Sequence, residues 1–256
     1  MVLDETSAAM TAELTKLRSV RGTVIALALF ALISIGVAAL DGWSARQAIE
    51  THSHLLRSGF TPEQAGLDGI LYGQVALIAF GVLVVTSEYG AGMIRLSLLA
   101  VPRRGQFFLA KMTVTALVAA TAAVPATIVA YAVTQAALGP YGASMGATGV
   151  PRALAGGIGY LVLICLLAAG IAAMTRNAIA PLAILIPLVL IGSHLLSIIS
   201  ATKPIARYLP DQAGIQMLAV HVSAGALRPA AGLAVLLGWV AVAQAGGYIL
   251  HRVRDA

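Results

Sequence analysis

The chain has 256 residues, of which 59% are hydrophobic and 10% are charged, and its formal net charge is +6. Soluble domains carry about 25% charged residues, so this composition excludes a soluble enzyme, a secreted disulfide scaffold and a disordered tail, and it predicts an integral membrane protein. The positive charge is typical of basic residues at the cytoplasmic ends of membrane spans. Nucleic-acid binding is not expected, because the sequence has no basic run interleaved with aromatic residues.

An amphipathic pattern precedes the first apolar run, over residues 7–21. Met10, Leu14, Leu17 and Val20 recur at helical spacing, with basic residues around them. This pattern is typical of a helix that lies in the membrane interface, with its apolar stripe in lipid and its cations near anionic headgroups. The alternative is a plain basic flank that only sets the topology.

Six apolar runs are long enough to cross a bilayer as helices, which takes about 20 residues each. They lie at residues 22–40, 69–87, 112–138, 153–175, 178–201 and 229–250. The glycine-rich stretch at 139–151 is typical of a loop. Because no segment is left that could form a soluble domain, the whole chain is predicted to be one all-α transmembrane domain with six spans.

The orientation follows from the basic residues in the connecting segments. With the N-terminus inside, the inner segments hold ten Lys and Arg residues and the outer segments hold six. Since Lys and Arg are enriched in cytoplasmic segments, both termini are predicted to be cytoplasmic.

The last outer loop, residues 203–228, is long and mixed in character. Its stretch at 212–220 is apolar but too short to span a membrane. The sequence leaves two alternatives for this stretch, an outer-leaflet helix over the mouth of the bundle or a collapsed loop.

Two catalytic patterns in the sequence are incomplete. Ser144 lies in a G-x-S-x-G pattern, but that pattern works on a strand-to-helix turn with a histidine and an acid converging on the serine, and the glycine-rich loop has no strand signal. Residues 105–111 faintly match a P-loop, but Ala110 and Met112 replace the glycine and the hydroxyl residue that the motif requires. The chain is therefore predicted to have no ATP site of its own and to be no enzyme. No cluster at metal-ligand spacing is present in the sequence either.

His194 is the one ionisable residue well inside a predicted span. An ionisable group within the membrane is a functional hypothesis by default, and a structural role, as a neutral imidazole bonded to a neighbouring helix, is the alternative. No predicted span carries an acidic residue at mid-depth, which disfavours a proton relay.

The inner connection at residues 88–111 carries the most informative pattern. A short helix is predicted from about residue 92 to 100, and it must end before Pro102 because the residue before a proline avoids the helical region. Its apolar face, which includes Leu98, could dock on a soluble partner, and Arg95 would supply charge at the rim. The alternative is an ordinary loop at the membrane surface.

This connection resembles that of the permease subunits of type-two ABC exporters, especially small bacterial ones. The resemblance extends to the basic amphipathic start and the six spans. The matching residues of the connection are Glu88, Tyr89, Gly92, Arg95, Pro102, Arg104, Ala110 and Lys111. Many members have threonine after the glycine, where this chain has Met93, so a hydroxyl cap on the short helix is lost.

The resemblance implies a non-catalytic permease in the bacterial inner membrane. It would work as a dimer with a second copy or a paralogue, and each permease would dock on a separate ATPase subunit that binds ATP and Mg. The short cytoplasmic helix would couple the ATPase to the spans through the matching residues and Leu98.

The resemblance also implies a translocation path between the two permeases, lined mainly by spans two and five. The polar candidates on this path are Tyr72, Gln74, Ser193 and His194. Such a lining is compatible with an amphipathic drug, a peptide or a lipid. The alternatives are an ion- or proton-coupled secondary carrier, an intramembrane serine hydrolase that uses Ser144, and a membrane scaffold that transports nothing.

Small residues predict where two copies would meet, because they let helices approach closely in lipid. The first span supplies Gly36, Ala38 and Ala39, and the fifth supplies Gly192 and Ser193. A dimer through the first or the fifth span is therefore expected.

The predicted orientation can be tested by thiol labelling of intact cells. A cysteine introduced near Gly142 should react with an impermeant reagent added outside, whereas one near Gly105 should react only after the cells are opened, because Lys and Arg favour the inner side. The reverse labelling would contradict a topology with both termini inside.

Overall fold

A computed structural model describes Thr15 and residues 20–53, 59–90, 104–199, 201–222 and 225–253, with the side chains of 88–90, 104 and 251–252 left out. The predicted interfacial helix at 7–21 and the predicted short helix at 92–100 fall, nearly or entirely, outside these residues. Every regular element within the described ranges is helical.

Six helical segments in the described part of the chain are long and apolar enough to cross a membrane. Five spans contain one long helix each: α1 (Arg21–Glu50), α3 (Ile70–Gly90), α4 (Arg104–Leu138), α5 (Val150–Thr175) and α10 (Pro229–Val253). The fifth span is built from α6 (Ile179–Pro187), a π-helical turn (Leu188–Gly192) and α7 (Ser193–Ile198). The shorter elements are α2 (Pro62–Asp68), a 3₁₀ turn (Gly139–Tyr141), α8 (Lys203–Ala206) and α9 (Pro210–Leu218). The prediction of an all-α membrane protein with six spans is thereby confirmed.

Two spans are longer as helices than the sequence predicts. The first continues through Glu50, beyond the predicted end at residue 40, and Arg46 pairs with Glu50 at 2.8 Å one turn apart. The third begins at Arg104 rather than at residue 112. In both cases a charged residue ends the apolar run but not the helix, because a helix can continue into the polar surface region. The last part of the connection predicted at 88–111 is therefore helical.

The second and fourth spans form the centre of the bundle. Of the six spans they are the most buried, and the fifth is the least buried. Helix α3 packs against α1 and α5, and α5 also packs against α10. At Gly73 the helices α1 and α3 are so close that a Cβ would lie 2.0 Å from the Ser34 hydroxyl oxygen, as small residues permit in lipid.

The small residues predicted to join two copies differ in how far they are buried within the chain. Ala38 and Ser193 are fully buried within the chain, where Ala38 contacts Gly69, so they cannot contact a second copy. Gly36 is exposed and has open space around it. The residues of one helix face different directions, because each is rotated by about 100° from the last.

The loop predicted at residues 203–228 contains helix α9, which is inserted into the bundle. Helix α9 packs between α5 and α10 and buries Ala213, Gly214 and Met217. Arg152 holds its C-terminal end, since Nη2 donates a hydrogen bond of 2.6 Å to the Ala219 carbonyl. Of the two alternatives for this stretch, the helix is correct, but it lies within the bundle rather than over its mouth.

The insertion of α9 depends on Gly156 in α5, where a Cβ would lie 2.0 Å from the Met217 carbonyl oxygen. We expect Gly156→Ala to push α9 away and to lower the midpoint of thermal unfolding in detergent. The matched control is Gly238→Ala in α10, because nothing lies within 4 Å of that position and alanine favours a helix over glycine by about 1 kcal/mol. Equal midpoints for the two variants would contradict this packing.

Candidate functional site

The residues predicted to contact an ATPase, where the structure describes them, lie near the end of the second span and the start of the third. Glu88 and Tyr89 are in the last turn of α3, and Arg104 is the first residue of α4. Both ends lie on the same side of the bundle, because the opposite ends of these two helices meet at Ala38 of α1, which contacts Gly69 and accepts a hydrogen bond from Thr134. Four of the predicted residues fall within 91–103 and thus outside the described residues: Gly92, Arg95, Leu98 and Pro102.

Lys111 lies in the interior of this end of the bundle, with only 5% of its surface exposed. Its Nζ is 5.1 Å from the centroid of the Phe107 ring, a distance typical of a cation–π interaction. Next to it, Phe108 packs edge to face against Tyr248, with ring centroids 5.9 Å apart. An aromatic cluster therefore joins the start of α4 to the end of α10.

The structure does not bring the four predicted path residues together. Gln74 and Ser193 are buried inside the bundle, whereas Tyr72 is 57% exposed and His194 is exposed. Ser193 and His194 are neighbours on one helix and therefore face different directions. Each of the two buried residues has its own polar partner.

Gln74 is bonded to Tyr160. The Tyr160 hydroxyl donates a hydrogen bond to the Gln74 Oε1 atom, and both side chains are buried. The Tyr160 ring also lies against α9, where a Cβ on Gly214 would come within 2.2 Å of it. This contact joins the second and fourth spans to the inserted helix.

Ser193 is bonded to Asp211, a fully buried carboxyl at the start of α9. The Gln212 Nε2 atom donates to Asp211 Oδ2 at 3.1 Å, and the Ser193 hydroxyl oxygen is 3.0 Å from the Leu188 carbonyl oxygen in the π-helical turn. Burial raises the pKa of Asp211 above its ordinary value, although hydrogen bonds that Ser193 and Gln212 can donate to the ionised carboxylate act in the opposite direction.

Sequence reasoning missed Asp211 and Tyr160. The sequence places Asp211 in an outer loop and no acidic residue at mid-depth in a predicted span, and the structure shows that this loop itself brings the carboxyl into the bundle through α9. A signal for the inserted helix is present, because Pro210, Ala213, Gly214 and Met217 recur at helical spacing. Tyr160 has no comparable signal, since one tyrosine in an apolar span does not reveal its partner.

A cavity of about 510 Å³ lies at the other end of α3 from Glu88. It is bounded by the end of α1, by α2 and by the start of α3, and Tyr72 is part of its wall. The wall combines carboxylate, amide, aromatic and aliphatic side chains, including Asp41, Gln64, Asp68, Phe60 and Ala48. Both a polar and an apolar part of a small molecule would find contacts there.

Ser144 is exposed in the loop that follows the 3₁₀ turn. Its carbonyl oxygen accepts a hydrogen bond of 3.1 Å from the Ala147 N–H group, which closes a turn. The hydrogen bonds found in the described ranges do not link Ser144 to a histidine or an acid. Those ranges also hold no group of three or more His, Cys, Asp or Glu side chains arranged for a metal ion.

A family of known proteins matches most of the chain. The model of the family described as ABC-2 family transporter protein matches residues 9–192, which is more than two thirds of the chain. The match runs from the N-terminal segment to the π-helical turn of the fifth span, so α9 and α10 lie beyond it. No curated protein matches the chain significantly.

The bond between Tyr160 and Gln74 gives a direct test of the buried contact. Tyr160→Phe removes the only hydrogen that the hydroxyl donates and leaves the Gln74 oxygen buried without it, which should destabilise the protein by about 1–3 kcal/mol. The measurement is the thermal unfolding midpoint in detergent. Tyr72→Phe is the control, because that hydroxyl is on an exposed side chain, and its midpoint should match that of the wild type. A Tyr160→Phe midpoint equal to the control would contradict the assignment.

Proposed function

The chain belongs to the ABC-2 family of transporter proteins, and we propose that within this family it is the permease subunit of an exporter. It works as a dimer, and a separate ATPase subunit drives it. The permease itself binds no ATP, and the ATPase supplies the site for ATP and Mg. Its place is the bacterial inner membrane, with both termini in the cytoplasm.

The observation that carries this proposal is the position of the family residues at the ends of α3 and α4. Glu88 and Arg104 lie at these two ends, and residues 91–103 between them offer a docking segment for a soluble partner. Helix α3 belongs to the most buried span. A force on its end would reach its neighbours directly, because packed interiors transmit displacement.

The exposed surface of the fifth span supports a dimer. Only 17% of its apolar stretch is buried within the chain, and its large exposed side chains include Ile184, Leu190, Ile191, Leu195 and Ile198. A second copy and lipid would share this surface. We propose that the fifth spans of two copies face each other across the path, with Gly36 of the first span at a nearby contact.

The cavity beside Tyr72 supports an amphipathic substrate. Its carboxylates Asp41 and Asp68 would favour a cationic or hydrogen-bonding group, and Phe60 would contact an apolar body. In the proposed orientation this cavity lies on the outer side, where an exported molecule would leave.

One observation favours a second candidate function. Asp211 is a carboxyl within the bundle, and such groups mark proton and ion pathways in membrane proteins. A secondary carrier driven by a proton or ion gradient would transport without the ATPase. Transport by proteoliposomes that contain this chain alone, with an imposed gradient, distinguishes the two functions.

The proposed coupling can be tested with Arg95→Glu and Leu98→Asp. The first reverses a rim charge and should mainly slow association with the ATPase. The second would bury an unpaired charge in the interface, and we expect it to weaken association by about tenfold or more, or about 1.4 kcal/mol. The measurements are substrate-stimulated ATP hydrolysis by the reconstituted pair and pull-down of the ATPase.

Arg207→Glu is the matched control for charge reversal, because Arg207 is exposed on the proposed outer side. All three variants should insert at normal levels, since none changes an apolar span. Full stimulation and full association with both loop variants would show that residues 88–111 are a passive connection.

A further inference from the structure

The carboxyl of Asp211 is enclosed by three helices. Ser193 reaches it from α7, Gln212 bonds to it from α9 itself, and the Tyr160 ring of α5 packs against the same helix at Gly214. Helix α10 also packs against α9, through Gly232 at Ala213 and Leu236 at Gly214. Arg152 bonds at the far end of α9, and His194 is exposed. The groups bonded to Asp211 in the described part of the chain are thus hydroxyl, amide and backbone groups, with no cation among them.

The hydrogen atoms around Ser193 determine the form of this carboxyl. A serine hydroxyl donates one hydrogen, and the Ser193 oxygen has two oxygen neighbours, the Leu188 carbonyl at 3.0 Å and Asp211 Oδ2. A carbonyl can only accept. Both contacts are hydrogen bonds only if Ser193 donates to Leu188 and Asp211 Oδ2 carries a proton that it donates to Ser193.

The second oxygen of Asp211 agrees with this arrangement. Oδ1 is buried and accepts no hydrogen bond of normal length and angle from the described residues, although the backbone N–H groups of Asp211 and Gln212 act on the carboxyl in favour of its ionised form. An unbonded carbonyl oxygen is far cheaper to bury than an unbonded oxygen of a carboxylate, because the latter carries charge. Burial also raises the pKa of Asp211, in the direction that a neutral acid requires.

We propose that Asp211 is a proton-binding site within the bundle and that its proton fastens α9 to the π-helical turn of the fifth span. Loss of the proton turns the donor into a second acceptor. The Ser193 hydroxyl can then donate to Asp211 only if it breaks its hydrogen bond to the Leu188 carbonyl. The negative charge of Asp211 also has no cation among the groups bonded to it. Deprotonation therefore loosens α9, and the site does not depend on an ATPase.

The proton is tested by infrared difference spectroscopy of the purified chain in lipid. At neutral pH the wild type should show the C=O stretching band of a protonated carboxylic acid, at the high frequency of a carbonyl that accepts no hydrogen bond. Asp211→Asn should remove this band, and Glu50→Gln, which removes an exposed carboxylate paired with Arg46, should leave it. Absence of the band, or its persistence in Asp211→Asn, would overturn the proposal.

The fastening is tested by thiol labelling of Met217→Cys, a buried position of α9, with the buried Cys165 replaced by alanine. Labelling should accelerate several-fold at alkaline pH beyond the rate expected from thiol ionisation. The same cysteine with Asp211→Asn supplies that reference, because asparagine keeps a donor toward Ser193 and cannot lose a proton. An identical pH dependence in the two backgrounds would show that the proton does not fasten α9.

A second measurement covers the case in which Met217→Cys does not fold. The ordinary pKa of an aspartate is 3.8, and the raised value in the folded chain means that the contribution of Asp211 to stability is fully present in acid and is lost as the pH rises through the folded pKa. The unfolding midpoint of the wild type should fall over this range, and that of Asp211→Asn should not. Parallel curves would overturn the proposal.

Discussion

The interior of the bundle depends on the close approach of α9 to its neighbours, which three glycines allow. A Cβ at Gly156 or Gly232 would lie within 2.3 Å of a backbone oxygen of α9, and one at Gly214 would meet the Tyr160 ring at 2.2 Å. Without the space that these glycines leave, α9 could not lie between α5 and α10. Asp211 would then remain outside, and Ser193 would face an empty or lipid-filled groove.

The same close packing connects α3 to α9 through the buried Tyr160. Helix α3 carries Glu88 in its last turn, near the proposed ATPase, and Gln74 near its start. Gln74 is bonded to Tyr160, and Tyr160 lies against α9. In surroundings without water such bonds have few competitors, so a shift of α3 would be felt by α5 and α9. Lys111 and its aromatic neighbours similarly join α4 to α10.

The spans were predictable from the sequence because the length of an apolar run decides whether a helix can cross a membrane. The helix ends were not, since Asp41 and Lys111 bound the apolar runs while the helices continue past them to Glu50 and Arg104. For the site, Gln74 and Ser193 were identified as candidates, but their partners were not. A carboxylate such as Asp211 is expected in water, and only the packing of α9 shows that it is buried.

Because of the π-helical turn, the direction in which Ser193 points depends on the number of residues in the fifth span. It follows Pro187, which has no N–H group to donate to the preceding turn, and it places Ser193 toward Asp211. Deletion of one residue within Leu188–Gly192 would restore an α-helix but rotate everything that follows by about 100°. Ser193 would then face away from α9. Relatives that lack the extra residue of the π-helical turn should therefore also lack a carboxyl in the following loop. Relatives that have one of these two features should have both.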